Sequence, residues 1–169
     1  MDVDNVAIGA GGKNQTPQDH NRDWTDRPYH PAVEAAQIEI ARLNANGRFH
    51  LFLDLHNPDA GAQEPFFFVG PRERLTDVGR KNRDAFIEAV REEMTGQLPF
   101  KGRVRETGPE YDPKWQAISG NWVTSHCRDH VVAACLETAW NTPHSTVEGY
   151  EQVGRELGLA IGRYVEHQQ

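Results

Sequence analysis

Residues 48–56 read RFHLFLDLH. The stretch is rich in large apolar side chains and too short for a helix, which predicts a strand buried on both faces, as in a parallel sheet. Upstream, Pro31 is a good first residue for a helix running to about Ala45, with Val33, Ala36, Ile40 and Leu43 on one face and Gly47 as its stop. Downstream, EPFFFVG (64–70) is a candidate second strand, and residues 75–95 form a second amphipathic helix with Val78, Phe86, Val90 and Met94 inward and Gly96 at its end. HVVAACLETAW (130–140) is a third buried strand. STVEGYEQVGRELGLAIGRYVEH (145–167) is a closing helix, opened by a capping box of Ser145 and Glu148. Its inward stripe is Val147, Tyr150, Val153, Leu157, Ile161 and Tyr164. Strands alternating with helices predict an α/β fold, a mixed and largely parallel sheet flanked by helices, in one domain over residues 1–169.

Two stretches carry little regular pattern. IGAGGKNQTPQDHNRDWTDRP (8–28) is crowded with loop formers, with a short strand expected before it at 2–8. Residues 98–122 are long and irregular, the kind of segment that often covers a site.

The chain has 169 residues and a net charge of −7, which argues against nucleic acid or an anionic membrane as its main partner. Its apolar runs fall far short of the roughly 20 residues a membrane helix needs, and no secretory segment follows Met1. Cys127 and Cys135 lie in or beside an apolar segment and read as small buried thiols rather than a disulfide framework or zinc knuckle.

In open α/β sheets, ligands sit beyond the carboxyl ends of the strands. His56 closes the first strand, and Glu137 lies near the end of the third. A carboxylate after a run of apolar residues is costly to bury unless something outside the strand pairs with it. On neighbouring strand ends the two suit a zinc ligand and a general base. Each also has a plainer reading: a structural histidine, half of a buried ion pair. Asp54, two residues before His56, points to the same side and can bond nearby polar groups. The Asn21–Arg22 pair can equally be a loop bonding to its own backbone.

Taken in order, DHNRDW (19–24), DLH (54–56) and the Glu-Thr that ends the third strand resemble the second half of the zinc carboxypeptidase domain, the metallopeptidase M14 family. The resemblance spans nearly the whole chain. It implies that Asn21 and Arg22 bind the free C-terminal carboxylate of a peptide, that His56 is a zinc ligand, and that Glu137 activates water at the zinc. Arginine suits that task because its planar guanidinium makes two parallel charge-assisted bonds to a carboxylate. Lys13 stands eight residues before Asn21, where some branches of the family carry an arginine that stabilises the oxyanion. Tyr111 is a candidate for the mobile tyrosine that family members often carry upstream of the glutamate.

The family's first two zinc ligands, a His-x-x-Glu motif ahead of the Asn-Arg pair, are missing. His30 to Glu34 and His144 to Glu148 each have one residue too many. The expectation is therefore a fragment lacking the N-terminal portion of the domain, with an exposed strand edge, weak or absent zinc, and no activity alone. The implied reaction of the parent is zinc-dependent removal of C-terminal residues from peptides. The alternatives are a related zinc hydrolase that deacylates small N-acyl amino acids, and a non-catalytic module that binds carboxylates without metal. The partner in every case is a peptide or small carboxylate-bearing molecule.

Overall fold

The helix predicted from Pro31 forms as α1 (Pro31–Ala45), and Gly47 follows it with a φ of 68°, a left-handed value that glycine adopts without strain. The computed structural model describes residues 6–10, 15–166 and 168. Four strands follow the chain as β1 (Leu51–His56), β2 (Phe66–Val69), β3 (Val104–Glu106) and β4 (Val132–Glu137). Three further helices are α2 (Asp77–Glu93), α3 (Ser119–His126) and α4 (Val147–Glu166).

The sheet order is β1-β4-β2-β3. β1 lies parallel to β4, β3 parallel to β2, and β2 runs antiparallel to β4. The predicted mixed α/β sheet flanked by helices is thus the observed fold. Because side chains alternate across a strand, β1 and β4 send odd and even positions to different layers. Leu51, Leu53, Val132, Ala134 and Leu136 join Phe67, Phe86 and Tyr164 in a core beneath α2 and α4. Phe52 and Ala133 face the other way, into a smaller cluster with Trp24, Val33 and Trp122 under α1 and α3. Further along that second face the pattern turns polar, at Asp54, His56 and Glu137.

Several expectations need correction. β1 is not buried on both faces. It is an edge strand with no partner on its outer side among the described residues, and its Leu55 is 65% exposed. Val78 is 52% exposed, because it sits about 80° around the helix from Phe86, whereas Gly79, Arg83 and Val90 share the Phe86 side. Two buried polar residues occupy that face: the Asn82 amide donates to the His130 carbonyl, and Arg83 to the Gly70 carbonyl. The cap of α4 is Thr146, whose hydroxyl accepts from the Gly149 amide, whereas Ser145 donates to the Ala139 carbonyl; Val147 consequently faces solvent. The irregular stretch 98–122 contains β3, a 3-10 turn at Trp115–Ala117 and the start of α3. Of the strand expected at 2–8, residues 2–5 lie outside the described residues, and Val6 and Ala7 are helical. Lys13 also lies outside them.

Candidate functional site

The parallel register sets Asp54 opposite Cys135 and His56 opposite Glu137. Since Asp54 and His56 are two apart on one strand, and Cys135 and Glu137 two apart on the next, all four project from the same face. The antiparallel register of β2 adds Phe66 opposite Glu137 and Phe68 opposite Cys135. The result is a polar square at the carboxyl ends of two strands, walled by two aromatic rings.

Within the square, the His56 Nδ1 and Asp54 Oδ1 atoms lie 2.9 Å apart, and the Ser119 hydroxyl donates to the other Asp54 oxygen at 2.9 Å. Hydrogen bonding to Asp54 raises the His56 imidazole above its ordinary value against the opposing effect of burial, and the charges of Asp54 and Glu137 add to the rise. Burial works to raise the Asp54 carboxyl, but the bond and charge of His56 and the Ser119 hydroxyl together hold it low. Glu137 is 8% exposed, and its Oε2 is buried without a hydrogen-bond partner. Burial pushes its carboxyl up, only partly offset by the positive field of His56. Burial, then the charges of Asp54 and Glu137, drive the Cys135 thiol far up.

The Asn-Arg pair reaches this square from a 3-10 turn, His20–Arg22. Its shape is fixed from both sides. Asp19 caps it by accepting from the Asn21 amide at 2.8 Å, and buried Asp23 accepts from the Tyr29 and His30 amides at 3.0 and 2.7 Å, tying the turn to the start of α1. The Asn21 Oδ1 accepts from the Ser119 amide at 3.0 Å, at the first residue of α3, so the side-chain amide nitrogen is the group left to meet a ligand. Arg22 donates through Nε to Asp112 at 2.8 Å and through Nη1 to its neighbour's carbonyl at 2.9 Å. These contacts hold the guanidinium plane without consuming all its donors.

Asn21, Arg22, Tyr111, His56 and Glu137 all line one cleft of about 570 Å³. Tyr111 stands at its side, with its ring 5.0 Å from that of Phe68. The near-miss histidines are elsewhere: His30 packs at the start of α1 with its Nε2 on the Gln18 carbonyl, and His144 lines a separate recess. Sequence reasoning missed two groups of the cleft. Arg105 is set opposite Phe68 on β3, its guanidinium 5.0 Å from that ring; a strand of three exposed residues is too short to show an alternating pattern. Cys135 was read only as a buried thiol, although its spacing from Glu137 repeats that of Asp54 from His56.

Among the described residues, Asp54, His56 and Cys135 form the one group of three that could hold a metal ion, with ligand atoms within 4.8 Å of one another. Of the zinc set that the resemblance implies, the chain supplies a single imidazole, so that set is not completed here.

No family model matches the chain, and no curated protein matches it. Among solved structures, a metallo-carboxypeptidase from Burkholderia cenocepacia is similar, with a TM-score of 0.68 and 19% identity over 95% of this chain. The match covers 40% of that protein, so the chain spans about two fifths of its length. Over that span the chain shares the fold of that metallo-carboxypeptidase.

Proposed function

We propose that this chain carries the carboxylate-binding and proton-transferring part of a zinc-dependent metallocarboxypeptidase, which removes C-terminal residues from peptides. What supports the reading is that the Asn21–Arg22 pair, His56 and Glu137, which lie far from one another in sequence, line one cleft at the carboxyl ends of β1 and β4.

In this reading Arg22 and the Asn21 amide grip the terminal carboxylate, and Asp112 keeps the guanidinium from turning away. Glu137 holds the proton. Its Oε2 takes one from the water that attacks the scissile carbonyl carbon, then delivers it to the leaving amine as the carbon–nitrogen bond breaks. Burial favours that role by making the carboxylate a stronger base than an exposed one. A bound zinc would supply Lewis-acid polarisation and a more acidic water. His56 is the ligand this reading assigns to it, and Lys13 is assigned to the oxyanion. The incomplete zinc set favours a second reading, a module that binds carboxylates without turning them over.

Calorimetry with a blocked dipeptide tests the common element. Binding is expected with a free C-terminus, to be lost on amidation, and to weaken at least about tenfold in Arg22→Met, the loss of a charge-assisted pair. Equal binding of the free and amidated forms would sink the reading. Turnover with added zinc then separates the branches: cleavage of the peptide marks a carboxypeptidase, cleavage of short N-acyl amino acids a deacylase, and binding alone the module.

A further inference from the structure

The ligand set implied by resemblance is incomplete, yet the same corner of the sheet presents a different one. Asp54 and Cys135 are opposite each other on adjacent parallel strands, and His56 follows Asp54 on the same face. Their ligand atoms lie within 4.8 Å of one another. The Asp54–His56 bond already holds two of them side by side at 2.9 Å, and a cation here takes the place of the proton they share.

A second observation points to a missing positive charge. Glu137 is more than nine-tenths buried, lines the cleft, and has an oxygen with no hydrogen-bond partner. An orphan carboxylate beside Asp54 is costly unless a counter-charge arrives.

We propose that Cys135, His56 and Asp54 form a divalent-metal site of the zinc class, with thiolate, imidazole and carboxylate as its three protein ligands and a fourth position open to the cleft. The donor chemistry selects the metal. Sulfur and imidazole favour zinc or cobalt over magnesium or calcium, which prefer all-oxygen sites, and three protein ligands with one open position is the pattern of reactive zinc sites. Binding forms a metal–sulfur bond and releases the Cys135 thiol proton to solvent. This site concerns metal binding alone and stands or falls separately from peptide turnover.

The experiment is titration of the metal-free chain with Co²⁺, followed by absorbance. A near-ultraviolet sulfur-to-cobalt charge-transfer band saturating at one equivalent is expected, and Zn²⁺ should displace it. Cys135→Ser should abolish the band and weaken binding by about tenfold or more, while Cys127→Ser leaves both unchanged. His56→Gln, at a half-exposed strand end, should keep the fold and the band but lose a similar factor in affinity. Circular dichroism of each variant reports folding, and His56→Gln decides the matter if Cys135→Ser does not fold. The proposal is overturned by a wild-type chain with no charge-transfer band, by a band that survives in Cys135→Ser, or by His56→Gln binding as tightly as wild type.

Discussion

His56 and Glu137 face each other across the parallel ladder of β1 and β4, one imidazole and one buried carboxylate joined by register rather than by a hydrogen bond. Burial of that carboxylate has a measurable cost, which the imidazole offsets only in part. Burial lifts the Glu137 carboxyl above its unfolded value, so its stabilising contribution is present only below the unfolded carboxylate range and is lost as pH rises through the folded value. Above the unfolded carboxylate range the group therefore costs the fold stability. Glu137→Gln should melt a few degrees higher than the parent at pH 7 in metal-free buffer, with the advantage shrinking near pH 4. An equal or lower melting temperature at pH 7 would contradict this account.

Asp23 is 1% exposed and accepts from the amides of Tyr29 and His30 and from the Gln18 side chain. Asp23→Ala leaves buried donors without partners, at a cost of about 2–4 kcal/mol. Urea denaturation should report that loss. Because the same carboxylate ties the Asn21–Arg22 turn to α1, carboxylate binding should weaken in the variant even where it remains folded.

The glycines of α4 divide into two kinds. A Cβ at Gly149 would run into the His144 carbonyl oxygen, a backbone atom that cannot swing aside. A Cβ at Gly158 meets nothing within 4 Å. Gly149→Ala should destabilise by about 1–3 kcal/mol through overpacking, and Gly158→Ala should stabilise by about 0.5–1 kcal/mol by lowering unfolded-chain entropy. Denaturation midpoints of the two variants should move in opposite directions.

Burial pushes the Cys127 thiol up to about 11. Only the thiolate is nucleophilic, so alkylation of Cys127 should be slow at pH 8 and rise about tenfold per pH unit toward that value. Mass spectrometry of iodoacetamide-treated Cys135→Ser protein isolates the reaction. Rapid labelling at pH 7 would contradict the burial that the fold assigns to it.

The elements with strong local signals were legible. α1 announces itself through Pro31, its apolar spacing and Gly47, and β4 through an uninterrupted run of small and branched apolar residues. β1 was legible as a strand but not as an edge, because position in a sheet depends on what lies beside a strand and not on its own residues. β3 was invisible: Val104, Arg105 and Glu106 are all exposed and hold their place through pairing with β2. The ends of the site, His56 and Glu137, could be picked out because polar residues interrupt apolar runs there. The part played by Cys135 could not, since it arises from which residue of β1 stands opposite it.

The direction of β2 has an electrostatic consequence. Because β2 runs against β4, its first residue lies beside the last residue of β4, and the Phe66 and Phe68 rings stand over Glu137 and Cys135 instead of at the far end of the sheet. Burial is the main cause of that carboxylate's raised proton affinity, and the two rings are its neighbours across the ladder. The proton affinity at this corner thus owes part of its value to the chain's path: the reversal of one short strand brings hydrocarbon beside the carboxylate that ends β4.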